Sequence, residues 1–128
     1  MGSGLRMIGY TTIGTNDLDR AKGFYDAVLA PLGGRRTLTY ERSQYYGGPA
    51  RGAVLGIVLP HDGQAQSVGN GVMGALQAAS PQVIQAVHAA ALAAGGTCEG
   101  PPGDRGGGFY GAYFRDLDGN KLCVFRMS

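Results

Sequence analysis

The strongest constraint on this chain is the spacing of its glycines. Of its 128 residues 24 are glycine, and they fall between patterned segments, where a residue that tolerates positive φ ends helices and opens turns. Gly9 and Gly71 stand 62 positions apart, and so do the pairs Gly33-Gly34 and Gly95-Gly96. An equal offset at both ends of a patterned stretch predicts an internal repeat, with one supersecondary unit used twice.

Within the first unit, Ile8 to Gly14 is a run of β-branched and aromatic residues and predicts a strand. Thr15-Asn16-Asp17 then offers side chains that cap a helix. From Asp17 to Leu32 the apolar residues Ala21, Phe24, Tyr25, Val28, Leu29 and Leu32 recur at spacings of three and four, building one buried helical face. Pro31 tightens the last turn and Gly33-Gly34 closes it. Three strands follow, Arg36 to Arg42, Gln44 to Tyr46 and Ala53 to Pro60, parted by Ser43 and by Gly47-Gly48-Pro49.

The second unit repeats the order. Val72 to Leu76 predicts a strand, Ser80-Pro81 opens a helix, and Val83, Ile84, Val87, Ala91 and Ala94 make its apolar stripe before Gly95-Gly96. Strands are expected at Thr97 to Gly100, Gly107 to Arg115 and Lys121 to Met127, with a loop over Pro101 to Gly108. The last two strands join at Asp116-Leu117-Asp118-Gly119, whose Asp-Gly pair suits a tight hairpin. The expected architecture is α+β: one domain over residues 7–127, with βαβββ modules at 7–60 and 71–127 and a polar linker at 61–70. Each half-sheet carries a helix on its outer face and leaves its other face free to form a cleft. Residues 1–6 are expected to be a flexible N-terminus or an expression scar.

Composition excludes several classes of function. With 44% hydrophobic and 16% charged residues, the chain is globular in type. Its net charge of +2 is scattered, so no basic stripe tracks a phosphate backbone and nucleic acid is not an expected partner. No apolar run approaches the roughly 20 residues of a membrane span. Cys98 and Cys123 are too few for a disulfide framework, which predicts a reduced, cytoplasmic protein.

Three stretches together carry a resemblance: Gly14-Thr15-Asn16-Asp17-Leu18 through Phe24-Tyr25, then Gly69-Asn70-Gly71, then Phe114-Arg115-Asp116-Leu117-Asp118-Gly119-Asn120. On them the chain resembles the vicinal-oxygen-chelate superfamily of glyoxalase, bleomycin-resistance and dioxygenase proteins, over residues 7–127. The resemblance implies a cleft sheet built from two modules. In metal-dependent members it also implies four cleft-facing strand positions that supply His and Glu to a Lewis-acid metal.

Carried onto this chain, those positions fall on Tyr10, on Val72, on Cys123 and around Gly56 to Val58, with no carboxylate or imidazole among them. A hard divalent ion needs several nitrogen or oxygen ligands, so neither that metal nor another cofactor is expected. His61 falls in the linker and His88 within a helix. The expected binding set is Tyr10, Tyr46, Val72, Arg105, Tyr110, Tyr113, Cys123 and Phe125, with Tyr45 and Arg115 bordering it. Aromatic walls with a few polar handles suit a small organic ligand. The competing reading makes half of the tyrosines core or dimer contacts. Tyr10 and Cys123 are the candidates for a catalytic role. Cys123 should share the cleft face with Phe125 while Leu122 and Val124 face the helix, although a small buried hydrophobe is the simpler reading of that thiol. The resulting expectation is a homodimeric, glyoxalase-like protein that binds a small molecule without the four-ligand metal. Its rivals are a metal-dependent lyase or dioxygenase and a drug- or metabolite-sequestering binder.

Overall fold

A computed structural model of the chain describes residues 7–128; the expectation for residues 1–6 lies outside the described residues. The first module runs β1 (Tyr10–Gly14), α1 (Leu18–Leu29), a 3-10 turn (Ala30–Leu32), β2 (Arg35–Tyr40), β3 (Ser43–Gly47) and β4 (Val54–Val58). The second runs β5 (Gly74–Gln77), α2 (Pro81–Ala93), β6 (Thr97–Gly106), β7 (Phe109–Arg115) and β8 (Lys121–Met127). Each module is a four-stranded sheet, ordered β1-β4-β3-β2 or β5-β8-β7-β6, in which the first strand pairs parallel with the last and the other pairs are antiparallel. The α+β fold of two βαβββ modules is therefore the one observed.

Both helices start where the sequence supplies an acceptor: Asp17 accepts from the Arg20 amide and Ser80 from the Val83 amide. Both end at a Gly-Gly pair whose two members do different work. Gly33 and Gly95 adopt φ of +74° and +102°, and the second glycine of each pair allows close approach. A Cβ on Gly96 would stand 2.6 Å from the Arg115 carbonyl oxygen, and one on Gly34 2.9 Å from that of Leu29.

The repeat is not gapless. The Thr15 amide donates to Val58 as the Ala78 amide does to Phe125, so the first strands and the helix N-caps match at an offset of 63, and the 3-10 turn absorbs the extra residue before Gly33. The second-module counterpart of Tyr10 is thus Met73, while Val72 lies in the turn before β5. The expected loop at Pro101 to Gly108 is also mostly strand. β6 is an edge strand with three register shifts, and an edge tolerates Pro101 and Pro102 because one side of it has no ladder to donate to.

The two modules join through their helix-bearing faces. Phe24, Tyr25 and Val28 of α1 share one core with Ile84, Val87 and Ala91 of α2 and with Phe114, Leu122 and Val124; the rings of Phe24 and Phe114 are 6.4 Å apart. A polar clamp ties the end of β1 to the β7–β8 hairpin. The Asp116 carboxylate accepts from the Tyr25 hydroxyl at 2.5 Å, from the amides of Asp118 and Asn120, and from Asn120 Nδ2. Asn120 Nδ2 also donates to the Gly14 carbonyl. Asp118 accepts from the Thr15 hydroxyl, the Asn16 amide and Arg20. Two of the three sequence stretches that carry the family resemblance, at 14–25 and 114–120, are therefore parts that hold the modules together.

Two tyrosines of this interior have raised pKa values. Burial and the Asp116 carboxylate push the Tyr25 hydroxyl well above its ordinary value, and burial and Asp26 do the same to Tyr46. A folded-state pKa above the unfolded one gives stability that is fully present below about pH 10 and is lost as pH rises further. Ultraviolet titration of the seven tyrosines should therefore show two that ionise only on unfolding. Tyr25→Phe and Tyr46→Phe should each flatten the alkaline decline in stability.

Candidate functional site

Side chains alternate along a strand, so burial on one face identifies the other. In β3, Gln44 and Tyr46 are buried beneath α1, and Tyr45 turns to the opposite, helix-free face. Gly56 of β4 pairs with Tyr45 on that face and makes room for it: a Cβ there would stand 2.5 Å from the Tyr45 ring. Tyr10 of β1 and Tyr40 of β2 meet the same ring edge-on, with centroids 5.6 and 6.1 Å away. The first open face is thus a three-tyrosine floor.

In the second module Ala112, Phe114, Leu122 and Val124 belong to the core. Phe109, Tyr113, Cys123 and Phe125 therefore occupy the open face, as the alternation on β8 predicted for Cys123 and Phe125. Phe109 and Phe125 stack with centroids 5.4 Å apart. The Arg105 guanidinium and the Lys121 ammonium lie 5.7 and 5.4 Å from the centre of the Tyr113 ring. Cys123 pairs across the ladder with Tyr113 and is buried. Burial pushes its thiol pKa up, while the Tyr113 hydroxyl and the charges of Arg105 and Lys121 pull it down without overcoming burial. A protonated, enclosed thiol is a packing group, and no imidazole neighbours it: the His88 Nε2 lies 3.2 Å from Cys98 instead.

Three expected site residues are placed elsewhere. Tyr46 is 2% exposed on the helix side, where its hydroxyl meets Asp26 and the Lys22 carbonyl; its neighbour Tyr45 holds the open-face position. Tyr110 also faces the helix side and bonds Gln85 of α2. Val72 sits in its turn, yet it lines a groove of about 500 Å³ together with Met73, Arg115 and Lys121. Tyr10, Arg105, Tyr113, Cys123 and Phe125 stand on the two open faces. Residue type alone gave no signal separating Tyr45 from Tyr46, because consecutive tyrosines satisfy either parity.

The open faces of one chain do not cover each other. Tyr10, Leu38 and Tyr40 on the first are 62%, 52% and 56% exposed, and Met127 on the second is 57% exposed. A second cavity, of about 540 Å³, lies on the helix side between Leu32, Tyr46, Leu55 and Leu76. It is apolar and no charged side chain converges on it.

The donor set at the positions where the resemblance implies metal ligands does not fit a divalent ion. It comprises one exposed phenol and one enclosed thiol, and no three His, Cys, Asp or Glu side chains cluster to hold an ion among the described residues. His61 is exposed in the turn after β4. Among the described residues, no helix is long and apolar enough to cross a membrane.

The fold recurs in known proteins. The chain is 41% identical to a glyoxalase/bleomycin resistance protein from Albidiferax ferrireducens T118, whose crystal structure superposes with a TM-score of 0.88 over 96% of this chain and 100% of that one. A glyoxalase-related enzyme from Fulvimarina pelagi (21% identity, TM-score 0.76, covering 95% and 88% of the two chains) shares the fold. So does a glyoxalase/bleomycin resistance protein/dioxygenase family enzyme from Burkholderia phytofirmans PsJN (15% identity, TM-score 0.74, 94% and 98%). Among curated proteins none matches. The model of the Glyoxalase/Bleomycin resistance protein/Dioxygenase superfamily matches residues 7–124, and the chain belongs to that superfamily.

Proposed function

We propose that this protein binds a small organic molecule on its open sheet faces, works as a homodimer and does so without the family's four-ligand metal. The observation that carries the reading is the pair of helix-free faces, one floored by Tyr10, Tyr40 and Tyr45 and the other by Tyr113 and the Phe109–Phe125 stack. Rigid aromatic walls with a few polar groups are what ligand clefts are made of. Half-exposed apolar residues on both faces favour a second copy of the chain as the cover, since contiguous apolar surface marks a contact site. Binding is favoured over turnover because the thiol at the site is protonated and no general base stands beside it. The two unpaired cysteines suit a reducing compartment such as the cytoplasm.

A ligand screen followed by Tyr10→Ala and Tyr113→Ala tests this. Each substitution should weaken binding by about 1–3 kcal/mol, through lost ring contact and a lost hydroxyl partner. Tyr10→Ala should leave the melting temperature nearly unchanged, because that ring is mostly exposed. Unaltered affinity in both variants would remove the open faces from the site. Metal analysis of protein purified without chelator should find well under one ion per chain. A full equivalent lost on changing Cys123 would instead favour a metal-dependent lyase or dioxygenase.

A further inference from the structure

On the second open face Arg115 is paired with Glu99, while Arg105 and Lys121 are cations without a carboxylate partner among the described residues. Arg105 is held in place: its guanidinium donates to the Pro101 carbonyl at 2.6 Å and lies over Tyr113. A Cβ on Gly100 or Gly103 would come within 3.3 or 2.8 Å of its nitrogens, so the glycines of β6 leave the space it occupies. Lys121, on β8, approaches the same ring. Two positive charges held at one tyrosine both attract an anion that binds beside that ring.

Nearby carboxylates are already engaged. Glu99 pairs with Arg115 at 3.1 Å, Asp104 accepts from the Gly106 amide, and Asp116 and Asp118 belong to the clamp. Among the described residues the ion pairs are Arg20–Asp118, Arg36–Asp26 and Arg115–Glu99, none of which uses Arg105 or Lys121. The strands of the first open face hold no Asp or Glu. A single guanidinium bond to a carbonyl leaves most of the five Arg105 donors free, and the Lys121 ammonium has all three.

From this placement we propose that Arg105 and Lys121 form an oxyanion-binding subsite over Tyr113, and that the ligand is an organic anion: a carboxylate, or a group of like geometry, on a flat apolar body. The charged group takes its hydrogen bonds from these cations beside the Tyr113 ring, and charge-assisted hydrogen bonds are the strong ones. The apolar body lies against the stacked Phe109 and Phe125. The inference rests on the small-molecule reading above and adds the sign of the ligand's charge.

Benzoate and benzamide, which match in shape and differ in charge, separate the two claims when titrated into the full chain by nuclear magnetic resonance. Benzoate should shift the resonances of β6 to β8, bind about tenfold tighter than benzamide and weaken as salt is added. Lys121→Gln and Arg105→Gln should each weaken benzoate about tenfold and weaken benzamide much less, so that the preference for benzoate is lost. Benzamide binding the open faces as tightly as benzoate, or benzoate binding undiminished in the double variant, would overturn the anion subsite and leave the aromatic cleft standing. No binding of either compound to the open faces of the unaltered protein would remove both.

Discussion

Asp116→Ala is expected to lower folding stability by about 3–5 kcal/mol, although Asp116 touches neither open face. Its carboxylate accepts four hydrogen bonds, from the Tyr25 hydroxyl, two backbone amides of the hairpin and the Asn120 side chain. Each buried donor stranded by its loss costs about 1–3 kcal/mol, and the losses are less than additive because the hairpin relaxes as a unit. Asn120 would also lose the partner that holds it against the Gly14 carbonyl, so the damage reaches the join between the modules. Asp116→Asn keeps one acceptor oxygen and should fall between. Chemical denaturation measures both. A loss below about 1 kcal/mol for Asp116→Ala would mean that water replaces the clamp and that the motif is kept for another reason.

Tyr46→Ala and Tyr45→Ala, neighbours in sequence, should differ by several-fold in effect. Tyr46 is fully enclosed, packs 6.2 Å from Tyr25 and bonds Asp26 of α1; its truncation should cost about 3–5 kcal/mol, as for other buried aromatics. Tyr45 meets Tyr10 and Tyr40 edge-on and lies over Gly56. Its removal should cost about 1–2 kcal/mol, the worth of two such aromatic pairs, while weakening any ligand held on the first open face. Thermal melts and ligand titrations of the two variants together check the assignment. Equal stability losses would mean that both rings are core and that the first open face is not a binding wall.

These two residues also mark the limit of what local pattern reveals. A strand's open face is set by register, and a slip of one residue sends every side chain to the other side. On β8 the alternation of Leu122 and Val124 with Cys123 and Phe125 fixes the faces unambiguously. On β3 it does not, because Ser43-Gln44-Tyr45-Tyr46-Gly47 has a ring on each side. The polar residue that looks exposed, Gln44, is the buried one: its amide donates to the carbonyls of Leu38 and Tyr45 and accepts from Thr39. Tyr110 was misplaced for the same reason. Val72 was misplaced because the glycine spacing suggested a gapless repeat, whereas the 3-10 turn at Ala30–Leu32 adds one residue to the first module.

The sequence by itself determined the twofold use of a βαβββ unit, the helix caps at Asp17 and Ser80, the Gly-Gly stops and the Asp-Gly hairpin. All of these follow from neighbours within a few residues, which is the range over which propensity, capping and turn chemistry act. Only the tertiary structure decided that Tyr45 and not Tyr46 belongs to the open face, that β6 runs on through its prolines as an edge strand paired with β7, and that the first and last family-like motifs form a clamp. The same is true of the meeting of Arg105 and Lys121 at Tyr113. Those facts depend on contacts between residues far apart in the chain, such as Tyr25 with Asp116 and Gly14 with Asn120, and local patterning carries no information about which distant partner will satisfy a buried polar group or leave a charge unpaired.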